Sequence, residues 1–392
     1  MGLVGLVVRS AWADTFKVVR PAKDFAASEK IAFPARAGLG GLAYLPDGRL
    51  ATYDTSTGEI LAHGGSQSSS LAKFSPSVFG SFLVLAPGGD ALIFGESSTG
   101  GVYSVPLAGG GATPIDHISF NFDLAFDASG HGLVSAPGLG GANSIRLLDG
   151  DPLQESREVV VNLGGFSGPV ALDVEGNLYY GTYNPALLGG QQILKFRSDL
   201  LQRALEGPPL VEADAELYLD ELPGAYNLRV SADRVLFTDL GFSSGTGTLF
   251  GAKVGSVVSV FPIATFQVPA GLCSPSFLAF RPGSLPFLAG SGMDGGSVAV
   301  AYSDFATVSG VAEITPRPYF VRGSLNGDSV VDLSDAVYLL SFLFLGGEAP
   351  AVADSADVNA DGALDLFDPI YLLDYLFQGG PQVPAPFPNP GL

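Results

Sequence analysis

The chain has 392 residues, 47% of them hydrophobic and 15% charged, a composition that supports packed cores in two domains and excludes a disordered chain. With 19 basic against 39 acidic residues the formal net charge is −20, which excludes nucleic acid and anionic membrane as partners. The single cysteine, Cys273, excludes an intramolecular disulfide and a structural thiolate–zinc cluster.

Residues 1–13 are apolar and close on an Ala-x-Ala-like site before Asp14. They read as a secretory signal peptide that lacks its basic leading segment, which predicts a secreted, extracellular protein. Arg9 inside the apolar run keeps a first strand of the next domain open as the alternative. No later segment reaches the ~18 uninterrupted apolar residues that a membrane helix requires.

From residue 14 to 315 the chain is rich in Gly, Ser, Val, Leu and Phe, with turn signals every ten residues or so. That pattern predicts an all-β domain. Within it an apolar strand, a turn and a second apolar strand recur over 42–51, 83–94, 124–134, 170–180, 228–237 and 278–288. The starts lie 41 to 58 residues apart, a spacing that belongs to propeller blades. One blade leaves a sheet face uncovered, so the prediction is a ring, a six-bladed β-propeller, with a two-sheet sandwich as the alternative. The hairpins with Asp-Gly-type turns resemble those of lactonase-like and NHL-type propellers. Ring closure calls for a strand from one end to complete a blade made by the other, and residues 15–19 are the candidate for pairing with 297–302 and 311–314. The three histidines, His63, His117 and His131, are isolated and receive no role.

Residues 316–322, with Pro316 and Pro318, read as a stiff linker. Beyond it, 357–368 places oxygen-bearing side chains at positions 1, 3, 5, 9 and 12 of a twelve-residue window: Asp357, Asn359, Asp361, Asp365 and Asp368. Calcium takes six to eight oxygens at roughly 2.3–2.6 Å, with a backbone carbonyl at position 7, here Ala363, and Gly at position 6, here Gly362. Position 12 is Asp where an EF-hand has Glu. A second copy over 324–335 supplies Ser324, Asn326, Asp328, the Val330 carbonyl, Asp332 and Asp335. Ser324 lacks a charge and Ser329 stands where Gly is wanted, so two calcium sites are predicted, the second stronger. Residues 324–392 hold ten acids and no Lys or Arg, which concentrates half of the net charge in this module.

Each loop runs into nearly the same apolar segment, 337–347 and 370–380, and no helical pattern precedes either loop. Duplicated loop–helix half EF-hands with Asp at position 12 resemble dockerin domains, over about residues 320–390. The fold prediction is therefore an all-β propeller followed by a small all-α calcium-binding domain over 323–380, with a Pro-rich tail over 381–392. The resemblance implies a cohesin-like protein partner bound through the duplicated helices, loop positions 10 and 11 (Leu333-Ser334 and Leu366-Phe367) helping to choose it. It also implies an association with polysaccharide degradation, and chain ends that clasp, with Phe387 near Phe320. Residues 336–345 are apolar all round, so one neighbour cannot cover them, and either a protein partner or the N-terminal domain must.

Two functions follow. The first is a secreted, non-catalytic binding protein that presents a propeller of unknown ligand on a larger assembly. The alternative is a metal-dependent hydrolase of lactone or glycoside type, with Asp54, Glu96, Asn121, Asp123, Asn143, Asn184, Asn227, Asp239 and Asp294 as the polar rim from which a metal site would be built. Acidic side chains converging at the channel mouth would favour the hydrolase.

Overall fold

The computed structural model describes residues 19–22, 25–33, 38–64, 67–137, 142–148, 156–182, 190–231, 234–239, 245–253, 260–268, 273–280, 296–304, 308–316, 320–326, 328, 330–350 and 352–389. The segment 1–13 lies outside them. The chain divides into two compact units, one of residues 1–22, 27–282 and 298–314, the other of 23–26, 283–297 and 315–392.

In the first unit the apolar alternation produces six antiparallel-based sheets of four or five strands, the blades of a propeller. The inner strands, in blade order, are Leu39–Tyr44, Gly80–Leu85, Asp123–Phe126, Val170–Leu172, Asn227–Val230 and Ser274–Phe280. The repeat seen in the sequence is the hairpin between each inner strand and its successor. In blades 1 to 4 its turn is one design. The N–H of Gly48, Gly89, Gly130 and Gly176 bonds to the carbonyl three residues back, and these glycines have φ between 73 and 90, a left-handed conformation that other residues adopt at a cost. Asp127 and Asp173 brace their turns by accepting N–H bonds from residues two and four ahead, the Asx-turn chemistry that made the pattern readable.

Two details differ from expectation. The second strand of blade 6 is Val298–Ser303, fully buried, and not the segment 284–288, which carries Pro286 and lies outside the described residues. A proline has no ladder donor, whereas Val298–Ser303 is an uninterrupted paired strand. The closing strand is Phe25–Ala32, which adds to Ser309–Pro316 in the sheet of blade 6. Val19, expected to do this, instead pairs with Phe266 in blade 5 through the short strand Val19–Pro21. Pro21 ends that strand after three residues, and the eight-residue Phe25–Ala32 matches its eight-residue partner in length.

The cores lie between blades. Ala43, Tyr53 and Ile60 of blade 1 pack on Leu83, Leu92 and Phe94 of blade 2. Leu39, Leu42 and Tyr44 meet Ala299, Ala301 and Val311 of blade 6, which seals the ring. Helix α1 (Ser198–Glu206) packs Leu201, Ala204 and Leu205 beside Val159 and Val160 of blade 3.

Among its described residues the second unit holds three helices, α2 (Leu333–Leu345), α3 (Ala353–Ala356) and α4 (Phe367–Gln378). Gly346 and Gly379 end α2 and α4 in left-handed caps with φ of 70 and 71. The small core consists of Leu325, Ala336, Leu339, Ala356, Val358, Leu372 and Val383. A helical turn, α3, precedes the second loop, where none was expected; its four residues bury Ser355 and Ala356. The chain ends do clasp, but through Arg322: its N–H donates to Pro386 O at 2.7 Å and its Nε to Ala385 O at 3.1 Å. Phe387 packs edge-on against Tyr375 at 5.3 Å, while the Phe320 ring lies beneath the Arg322 guanidinium. A guanidinium with free carbonyls to bond outcompetes a second phenyl ring for that position.

Candidate functional site

The two loops of the second unit share one hydrogen-bond scheme. Asp332 caps α2, its Oδ1 accepting from Ser334 N at 2.7 Å, while Asp335 Oδ2 accepts from Asp332 N at 3.0 Å. That is a capping box, so positions 9 and 12 start the helix. Asp335 Oδ1 then turns back into the loop and accepts from Leu325 N at 2.6 Å and Asn326 N at 3.2 Å. In the second copy Asp368 Oδ2 accepts from Asp365 N at 2.9 Å, and Oδ1 from Val358 N at 2.7 Å and Asn359 N at 3.3 Å. Both position-12 carboxylates are fully buried.

Further bonds shape the second loop. Asp357 accepts from Asp361 N and Gly362 N, both at 3.1 Å, Asn359 Oδ1 from Asp361 N at 2.9 Å, and Asp361 Oδ1 from Ala363 N at 2.8 Å. Gly362 has φ 84 with nothing within 4 Å of the place a Cβ would take, so the backbone angle and not crowding selects glycine. A basic group, Arg322, stands beside the loop: its Nη1 donates to the Asp354 and Asp357 carbonyls and lies 3.9 Å from Asp357 Oδ2. Burial pushes the Asp368 carboxyl above its ordinary value, the three N–H donors oppose this, and the Asp357 charge adds to it. A cation among Asp357, Asn359, Asp361, Asp365, Asp368 and the Ala363 carbonyl would relieve that strain, and this donor set is the hard-oxygen chemistry calcium takes. Among the described residues no three His, Cys, Asp or Glu side chains converge as a finished metal cage. The fit rests on the mixed donor set and the loop frame. In the first loop Ser324, Asn326, Asp328, Val330, Asp332 and Asp335 occupy the matching places, while Gly327 and the turn expected at Ser329 lie outside the described residues.

Each helix buries one face and exposes the other. Ala336, Leu339 and Leu372 are buried, whereas Leu333, Val337, Phe344 and Leu345 of the first repeat and Leu366, Phe367, Ile370 and Phe377 of the second are exposed. Phe367, Ile370 and Phe377 line an apolar groove with Tyr371 and Leu373.

The propeller rim turns its polar groups to structural use. Asp54 accepts from Ser56 N at 2.8 Å and from its hydroxyl, and Glu96 does the same with Ser98 and Thr99 at the matching turn of the next blade. Burial works to raise the Glu96 carboxyl, but these donors together hold it low. Asn121 donates to the carbonyls of Glu96 and Ile118, and Asn143 to that of Gly164. Asn184 and Asp294 lie outside the described residues. Arg229, which the rim pattern missed because it is basic, crosses from blade 5 to blade 3: its Nη1 lies 2.9 Å from Asp123 Oδ2, and its Nε donates to Leu278 O of blade 6 at 3.1 Å. Two positions earlier on the same strand face, Asn227 Nδ2 donates to Ser276 O at 2.7 Å. Thus the inner strand of blade 6 receives on its channel edge the donors that no neighbouring strand supplies.

Of the histidines, His63 is held between Thr52 and Ser68 hydroxyls, and burial lowers its pKa. His131 pairs with Asp127 in its turn. Burial pushes the Cys273 thiol up to about 11, which makes it inert.

Asp239 is the perturbed rim acid. Burial raises its carboxyl to about 6, against the opposing N–H of Thr248. A raised carboxylate pKa means the folded chain holds its proton through pH values where the unfolded chain has lost it, so stability falls as pH rises from about 4 to 6. Asp239→Asn should therefore raise stability at pH 7 by on the order of 1–2 kcal/mol and leave it unchanged near pH 3, which thermal melts across that range would measure. Equal effects at both pH values would refute this.

No family model matches the chain, and no curated protein matches it. Solved structures do. The PQQ-bound aldose sugar dehydrogenase of Streptomyces coelicolor is 12% identical with a TM-score of 0.50, over 76% of this chain and 100% of that one. Regucalcin of Agrobacterium tumefaciens, described as a calcium-binding protein, is 13% identical at 0.50, over 74% and 96%. The calcium structure of a Carbohydrate-Active Enzymes Family AA12 protein from Trichoderma reesei is 10% identical at 0.51, over 77% and 98%. At these identities the likeness is one of fold, and it bears out the propeller reading of the repeat.

Proposed function

We propose that the chain is a secreted binding protein in which the propeller is carried on a larger assembly by a dockerin-like module ordered by calcium. The observation that carries this reading is the repeated hydrogen-bond scheme: in both loops the position-12 Asp is fully buried and accepts from the backbone at positions 2, 3 and 9. Asp357, Asn359, Asp361, Ala363, Asp365 and Asp368 would hold the tighter calcium, and the set beginning at Ser324 a weaker one. The ion supplies charge neutralisation, which lets the loops close and fixes the start of α2 and α4. The partner is a cohesin-like module, and the exposed Val337, Phe344, Ile370 and Phe377 support this as an apolar protein-binding surface.

The test is association of the full chain with a purified cohesin module, by calorimetry, with calcium and with chelator. Binding in calcium that chelator abolishes, and that Val337→Asp with Ile370→Asp weakens at least about a hundredfold (~2.7 kcal/mol), is the expected result. Association indifferent to calcium would refute the docking function. The hydrolase reading, which would place a metal at the rim as a calcium-binding propeller such as regucalcin suggests, has less to support it: the carboxylates of Asp54, Glu96, Asp123 and Asp239 are each held by protein donors.

A further inference from the structure

The propeller has its own candidate site, independent of the calcium module. At the end of the ring where the inner strands begin, a cavity of about 140 Å³ is bounded by Ser81, Ser97, Asn121, Asn227, Phe122 and Tyr226, among others. No residue lining it carries a charge. Its chemistry is neutral hydrogen bonding beside aromatic rings.

Four buried side-chain atoms of the described residues have no hydrogen-bond partner: Ser135 Oγ, Asn227 Oδ1, Thr238 Oγ1 and Ser309 Oγ. Strand pairing brings all four to this same end, since Ser135 lies opposite Asp123, Thr238 opposite Asn227, and Ser309 opposite Ser303, itself opposite Ser274. A buried polar atom left unpaired is costly and calls for an explanation, and of these four residues Asn227 is the one that lines the cavity. Asn227 is the informative member. Its Nδ2 is committed to Ser276 O, which fixes the amide orientation and leaves the buried Oδ1 as the unpaired acceptor of a residue that lines the cavity. The guest must donate to it.

Aromatic residues line the cavity and share its end of the ring. Phe122 and Tyr226 meet edge to face at 5.7 Å, and Phe79, Phe120 and Phe166, exposed, occupy the segments leading into the inner strands of blades 2, 3 and 4. Inner strands share one direction about the ring, so these segments share one end. Aromatic side chains in the wall of an uncharged pocket, Phe122, Tyr226 and Phe277, suit a molecule with hydroxyls at its edge and C–H groups on its face. We infer that the mouth of the propeller binds a neutral sugar, one ring seated in the cavity with a hydroxyl donating to Asn227 Oδ1. A carboxylate-bearing ligand would find no uncommitted cation there, since Arg229, two positions along the same strand face, is paired with Asp123, and a purely apolar one would leave the Asn227 amide oxygen unpaired.

The test is saturation-transfer NMR and calorimetry on the full chain with D-glucose, D-galactose and D-xylose, with gluconate as a charged control of the same skeleton. Expected are saturable binding of at least one sugar, gluconate at least about tenfold weaker, and a comparable loss in Asn227→Leu. Ser97→Phe, on a half-exposed turn, fills the cavity without entering the core and should abolish binding with an unchanged melting temperature. Saturation by none of the three sugars, or full binding by Ser97→Phe, overturns the inference. Failure here is separable from failure of the docking reading, because Asp357→Ala with Asp361→Ala should leave sugar binding intact while removing calcium.

Discussion

Replacing Arg229 by Met lowers the stability of the propeller by about 3–5 kcal/mol, the loss expected when one member of a buried pair is removed and the other stays charged. The side chains of Arg229 and Asp123 are 19% and 4% exposed, so solvent screens the pair weakly. With the guanidinium gone, Asp123 keeps, among the described residues, the N–H groups of Leu124 at 2.9 Å and Val170 at 3.2 Å. Leu278 O would also lose its donor. The pair thus ties blade 5 to blades 3 and 6 across the centre of the ring. The double variant Arg229→Met with Asp123→Leu should recover more than half of the loss, because an apolar pair of similar volume carries no desolvation cost. Urea unfolding of the calcium-insensitive transition measures both. A loss below about 1 kcal/mol in the single variant would mean that the pair behaves as a surface ion pair and does not hold the ring.

What the sequence made legible was local. The turn Asp-Gly chemistry and the alternation of residues such as Leu124, Ala125 and Phe126 located five of the hairpins, because those preferences act within a few residues. Closure was harder. Whether 15–19 or Phe25–Ala32 completes blade 6 is decided by the partner strand Ser309–Pro316, nearly three hundred residues away, and no local pattern reports that choice. The same holds at the rim. Asp54, Glu96 and Asp123 were visible as acids, but their partners, a turn hydroxyl in two cases and Arg229 in the third, were set by three-dimensional neighbours. Asn227 looked like one rim amide among several, and only its unpaired Oδ1 distinguishes it. The two acidic loops were the converse case, since the oxygen-bearing residues of each fall within twelve consecutive positions and their spacing could be read directly.

Asp368→Asn should cost much more stability with calcium than without it. The carboxylate is fully buried, has no cationic side chain bonded to it, and is pushed toward protonation by burial and by Asp357. Without an ion burial makes its charge a cost, but the amide NH2 cannot accept, so at least one of the N–H groups of Val358, Asn359 and Asp365 loses its partner and the second unit should lose on the order of 1 kcal/mol. With calcium the loss grows. Ion binding adds RT ln(1 + [L]/Kd), about 2.7 kcal/mol at a concentration one hundred times Kd, and a variant that lacks the position-12 charge forfeits most of it. Asp335→Asn should repeat the pattern at smaller amplitude, because Ser324 gives the first loop one charge fewer to hold the ion. Melting the α2 and α4 signal by circular dichroism in calcium and in chelator gives four values for each variant pair. If Asp368→Asn destabilises equally in both conditions, the carboxylate is a helix cap and loop brace alone, and the calcium reading of 357–368 fails.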